Sequence, residues 1–184
     1  MITIRRFSHF DNETLTDLTD KINNEYYSEI PYLVKNAERS LQLLKNADVH
    51  NAFSGYILLS ERLLAEINIL LDHRGKILSP YLYELAAKGR DNHDCSSCSG
   101  SCDMGHVANI SELKLSHLRM KELLYSIEAA AMKHNLENEC IMEYRVLRTE
   151  MMLIDLSLSD LFYIEEVHLL KKMIDAQSVI RVRH

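Results

Sequence analysis

Apolar residues recur every three or four positions along most of this chain, the spacing of helices that bury one face. Asp11 or Asn12 reads as an N-cap, followed by a polar helix to about Ser28. Pro31 opens a second helix to about Asp48, with Val34, Ala37, Leu41 and Leu44 on one stripe. A third covers roughly Asn51–His73 through Phe53, Ile57, Leu64, Ile67 and Leu71, and Gly75 reads as its stop. Ser79-Pro80 starts a shorter helix ending near Gly89. Asn109 or Ser111 caps the next, which runs to about Asn135 on Leu113, Met120, Leu124, Ile127 and Ala131. The last, about Leu136–Gln177, carries Cys140, Tyr144, Leu147, Met151, Ile154, Leu158 and Leu161, with a possible kink at Ser157-Leu158-Ser159.

Two short stretches alternate instead: Met1–Phe7 and the closing Ser178–His184. Ile2 and Ile4 could pair with Ile180 and Val182 as a small antiparallel β-ribbon, within one chain or between two. The expected architecture is therefore all-α: an antiparallel bundle of four main helices, extra short helices and a ribbon of the two termini. The 184 residues suit a single domain, 1–184. Composition agrees, because 28 leucines against 7 valines favour helix, and 5 glycines and 2 prolines supply too few turns for a sandwich or barrel.

Residues 89–106 break the pattern. GRDNHDCSSCSGSCDMGH holds three of the 5 glycines and three of the 4 cysteines and almost nothing apolar, so it cannot pack itself. It reads as a Cys-rich loop inserted at about 89–108. Cys95, Cys98, Cys102 and His106 follow a Cys-x2-Cys-x3-Cys-x3-His spacing, and Gly100 and Gly105 let the backbone curl around an ion. Those four donors suit a tetrahedral zinc site whose metal folds the loop. Alternatively, the three thiolates hold an iron–sulfur cluster, with Cys140, a histidine or a small molecule at the last corner. Cys95-Ser-Ser-Cys98 near His93 also reads as a redox thiol pair, or the cysteines are incidental to an exposed loop. Cys140 itself falls on an apolar stripe and reads first as a small buried hydrophobe.

The net charge of −6 argues against a nucleic-acid sleeve or a binder of anionic membranes. No apolar leader opens the chain and no apolar run approaches the ~18 residues of a membrane span. The expectation is a cytoplasmic protein whose cysteines are thiols or metal ligands. No phosphate loop, nucleophile elbow or catalytic triad is visible. The tyrosines near the two prolines suggest packing, a ligand pocket or a subunit interface, and self-association or a protein partner is expected.

Glu165 and His168 form a Glu-x-x-His pair where the last stripe continues, His117 sits on an inner stripe with Glu128 nearby, and Glu38 and Glu61 flank two earlier stripes. A helical bundle with inward carboxylates and such a pair resembles the ferritin-like di-iron proteins. The resemblance implies a di-metal oxidoreductase with its site between the helices. Its second Glu-x-x-His pair has no counterpart here, where Glu61-x-x-Leu64 and Glu112-x-x-Leu115 stand instead. The other readings of Glu165 and His168 are a satisfied ion pair and a bundle end meeting water. The sequence thus leaves three functions open: a helical metal-binding protein in sensing, electron transfer or assembly, the di-metal enzyme, and a metal-free interaction or dimerisation module.

Overall fold

The structure, a computed structural model, describes residues 7–47, 50–90, 101–135 and 141–182, and all secondary structure among them is helical. Seven α-helices follow in order: α1 Leu15–Ile22, α2 Ser28–Lys45, α3 Ser54–His73, α4 Ser79–Arg90, α5 Ser101–Asn135, α6 Met142–Ile164 and α7 Leu170–Val182. Helix α2 packs on α6 and α3, α3 on α5, and α4 on both α1 and α7. The stripes meet where the spacing predicts. Val34, Ala37, Leu41 and Leu44 from α2, Ile57, Leu64 and Ile67 from α3, and Tyr144, Leu147, Ile154, Leu158 and Leu161 from α6 form one continuous core. Phe53 stacks on Tyr144 at one end, with ring centroids 4.7 Å apart.

Three α-helical pairs are joined without a break by single π-helical turns: Asn23–Tyr27 between α1 and α2, Arg74–Leu78 between α3 and α4, and Glu165–Leu169 between α6 and α7. Each turn inserts a residue into the hydrogen-bond ladder and rotates the helix beyond it, a local cost most often met at functional positions. Two of them have a covalent cause nearby. Pro31 lies four residues after the first turn and Pro80 two after the second, and neither can donate to the carbonyl four residues back. Widening the ladder just upstream absorbs that defect. Pro31 therefore does not open its helix, whereas Ser79-Pro80 stands at the start of α4 as the spacing predicts. Pro31 is the fourth residue of α2, and Gly75 lies inside a π turn and does not stop α3.

Other boundaries also move. Residues Ser8–Asn12 form a 3-10 turn, and the N-cap of α1 is Thr14, whose hydroxyl oxygen accepts from the Asp17 amide at 3.1 Å. Thr14→Ala is expected to cost about 1 kcal/mol, a fall of roughly 3 °C in melting temperature; a thermal melt checks this. Helix α5 begins at Ser101, not at Asn109 or Ser111. His106, Asn109 and Leu113 continue its buried face at helical spacing, and the Asn109 side chain donates to the Gly105 carbonyl at 2.8 Å. The far end of the expected loop at 89–108 is thus helix, while residues 91–100 lie outside the described residues. At the last helix the irregularity falls at Glu165–Leu169, not at Ser157-Leu158-Ser159.

The β-ribbon is corrected. Residues 178–182 belong to α7, because Leu169, Met173, Gln177 and Ile180 are buried at three- and four-residue intervals. That period outweighs an alternation only a few residues long. The other half of the ribbon, residues 1–6, lies outside the described residues. No helix among the described residues is long and apolar enough to cross a membrane.

Candidate functional site

The three π turns bring their polar residues together. Tyr27 ends the first, Arg74 begins the second and Glu165 begins the third. Arg74 and Glu165 are 0% exposed and paired: Arg74 Nε donates to Oε1 of Glu165 at 3.0 Å and Nη2 to Oε2 at 3.2 Å. Planar guanidinium and carboxylate meet edge to edge, the geometry that makes this pair strong when dry. The Tyr27 hydroxyl donates to Oε1 at 2.6 Å, and His117 Nε2 meets Oε2. Arg74 Nη2 also donates to Ser116 Oγ at 2.9 Å, and the Ser116 hydroxyl in turn donates to the Leu113 carbonyl.

This network spreads to the surface through His117. Its Nδ1 lies 3.0 Å from Glu166 Oε1, which also accepts from Lys121 Nζ at 2.6 Å. Each imidazole nitrogen therefore faces a carboxylate, and Phe162 covers one side of the ring at a centroid distance of 4.3 Å. Burial pushes the Glu165 carboxyl up, but Arg74, His117 and the Tyr27 hydroxyl outweigh it and hold it down at about 2. Burial and the neighbouring Glu165 charge raise Tyr27 well above the ordinary tyrosine range, so it remains a donor. Arg74 Nη1 is a buried donor with no partner among the described residues. Beside it, a cavity of about 70 Å³ is lined by His73, Glu112, Ser116 and Arg119 among others.

Glu165 and His168 are both buried but do not act together. The π turn takes them apart: His168 Nδ1 sits 3.1 Å from Asp11, with its ring against Phe10 and Tyr163. Glu165 accepts two hydrogen bonds on each oxygen, and these fill the roughly four lone-pair sites of a carboxylate. Between the helices, the cation beside this carboxylate is a guanidinium. Glu61 pairs with Lys45 at 2.7 Å and lines a groove between α2 and α3 with Glu38, while Glu128 lies in a groove of α5 and α6 with Asp155. Among the described residues, no group of three or more His, Cys, Asp or Glu side chains could hold a metal.

The cysteine segment is described at one end only. Cys95, Cys98 and Cys140 lie outside the described residues, and Cys102 is placed as backbone in the first turn of α5. His106 follows one helical turn later. It is buried against α4, where the Tyr81 hydroxyl lies 2.7 Å from its Nδ1. Sequence reasoning singled out Glu165 and His117 as polar groups on apolar stripes and counted Tyr27 among the tyrosines near Pro31, but it missed Arg74. The signal for Arg74 was present: it continues the apolar spacing Ile67, Leu70, Arg74, a charge where the stripe calls for a hydrophobe.

No protein-family model, no curated protein and no solved structure matches this chain.

Proposed function

We propose that the chain binds a metal centre, zinc or an iron–sulfur cluster, through Cys95, Cys98, Cys102 and His106, and serves in sensing, electron transfer or assembly in the cytoplasm. One observation carries the reading. His106 stands one helical turn beyond Cys102 at the start of the 35-residue α5, with its Nδ1 against the Tyr81 hydroxyl. An i, i+4 spacing brings two donors to one side of a helix. A ligating imidazole has one nitrogen oriented by a hydrogen bond and the other at the metal, and Tyr81 supplies that orienting partner from a different helix. Cys95 and Cys98 precede α5 in the sequence, so in this reading metal binding would tie α4 to α5. In this reading the four main helices, α2, α3, α5 and α6, run antiparallel, and the metal segment bridges the longest connection between them.

Changing Cys95, Cys98 and Cys102 together to serine tests the proposal. The triple variant is expected to lose essentially all bound metal and to melt lower than the parent, while circular dichroism shows the helices retained. Metal content equal to the parent's would overturn it.

A further inference from the structure

Helix α5 has a buried face and, opposite it, a second face that is apolar at seven of nine positions, and the fold uses only the first. His106, Leu113, Met120 and Ile127 recur every seven residues on the buried side. Opposite them, Met104, Ala108, Ser111, Leu115, Leu118, Glu122, Tyr125, Ala129 and Met132 alternate in steps of four and three along the whole helix, and all nine are exposed. Met104, Leu118 and Tyr125 are 70%, 59% and 74% exposed. A 4-3 alternation sustained over four heptads is the seam of a coiled coil. A helix that only covers a core has no need of one, since its outer face is normally polar.

We propose that this seam is a homodimer interface, in which α5 pairs antiparallel with α5 of a second copy. The flanking charges suit a second copy of the chain, set antiparallel. With the two-fold axis near residue 120, Leu115 of one copy faces Tyr125 of the other, Leu118 faces Glu122, and Lys114 faces Glu128 at both ends. The surface is thus complementary to itself, as a two-fold dimer requires. Lys114 and Glu128 have no ion pair among the described residues, so both charges are available. Arg119 and Lys121 meet their own copies near the axis. Each is already neutralised within its chain, Arg119 by Glu112 at 2.8 Å and Lys121 by Glu166 at 2.6 Å. A parallel pairing would set Lys114 against Arg119 and Glu128 against Lys133 of the second copy, and so would lose both Lys114–Glu128 contacts.

The area suits a dimer of modest affinity. At 1.5 Å per residue the seam is about 42 Å long, and a strip about one helix wide removes on the order of 1,000 Å² from the two helices together, the size of a weak but specific interface. This interface is independent of the metal proposal, because none of the seam residues is a candidate ligand.

Sedimentation equilibrium on the full chain tests the inference. The expected species has twice the 21.3 kDa chain mass. Leu118→Glu should weaken association by about 30-fold or more without loss of helix by circular dichroism. Lys114→Glu and Glu128→Lys should each weaken it about 10-fold, and the two together should restore it. A chain that stays monomeric up to about 100 μM, a dimer indifferent to Leu118→Glu, or a double exchange that fails to restore association would each overturn it.

Discussion

Replacing Glu165 by alanine is expected to cost about 3–5 kcal/mol of folding stability, a large share of what a domain of this size possesses. The loss comes from what is left behind. Arg74 is wholly buried and would keep its charge with no counter-charge at its side, and the Tyr27 hydroxyl and His117 Nε2 would lose their acceptor. The intact pair itself need not be strongly stabilising, because desolvating both groups offsets most of their attraction. A paired replacement separates the two effects. Arg74→Met with Glu165→Leu removes both charges and fills the space, so it should cost far less than the two single changes added together. Urea denaturation of the four proteins measures the coupling. A Glu165→Ala loss below about 1 kcal/mol would show that the network does not hold the three π turns together.

Acid is expected to release the same network. In the unfolded chain Glu165 titrates near the ordinary 4.5, and in the folded protein at about 2. A carboxyl depressed on folding contributes stability that is present in full above its unfolded value and is lost as pH falls toward the folded one. Between about pH 4.5 and pH 2, Glu165 should therefore forfeit about 3 kcal/mol. Glu166 moves in the same direction, since Lys121 and His117 outweigh its partial burial. Asp155, pushed up by burial and by Glu128, opposes them in part. Urea midpoints for the parent should fall steeply across that window. For the Arg74→Met, Glu165→Leu pair the fall should be shallower, and equal slopes would contradict the assignment.

The fold class was legible because it depends on period alone. Buried leucines, isoleucines and aromatics recur at helical spacing, and among the described residues the stripes on α2, α3, α5 and α6 face the core, with Leu71 and Leu124 at its edge. Boundaries were less legible where proline and glycine carry two meanings. Pro31, Gly75 and Pro80 are ordinary start and stop signals, yet each falls in or just after a π turn that lets the helix continue. The C-terminal stretch misled for a different reason: the alternation in residues 178–182 is too short to compete with the stripe that Met173 and Ile180 extend.

The buried network was half legible. Glu165 and His117 stood out as polar groups on apolar stripes, but their partners could not be inferred from helix spacing. Arg74 and Tyr27 come from distant helices, 91 and 138 residues away from Glu165. Register between helices decides such pairings, and a single sequence does not encode it locally. His106 was legible for its spacing after Cys102, while its Tyr81 contact again required the fold.

The central claim, a metal centre at Cys95, Cys98, Cys102 and His106, is met most directly by elemental analysis with an absorption spectrum. The sample is the full chain, purified without oxygen and without a metal-affinity tag. The account predicts one zinc per chain and a colourless sample, or a brown one with iron and acid-labile sulfide. Protein free of both metals, or iron without sulfide, would contradict it.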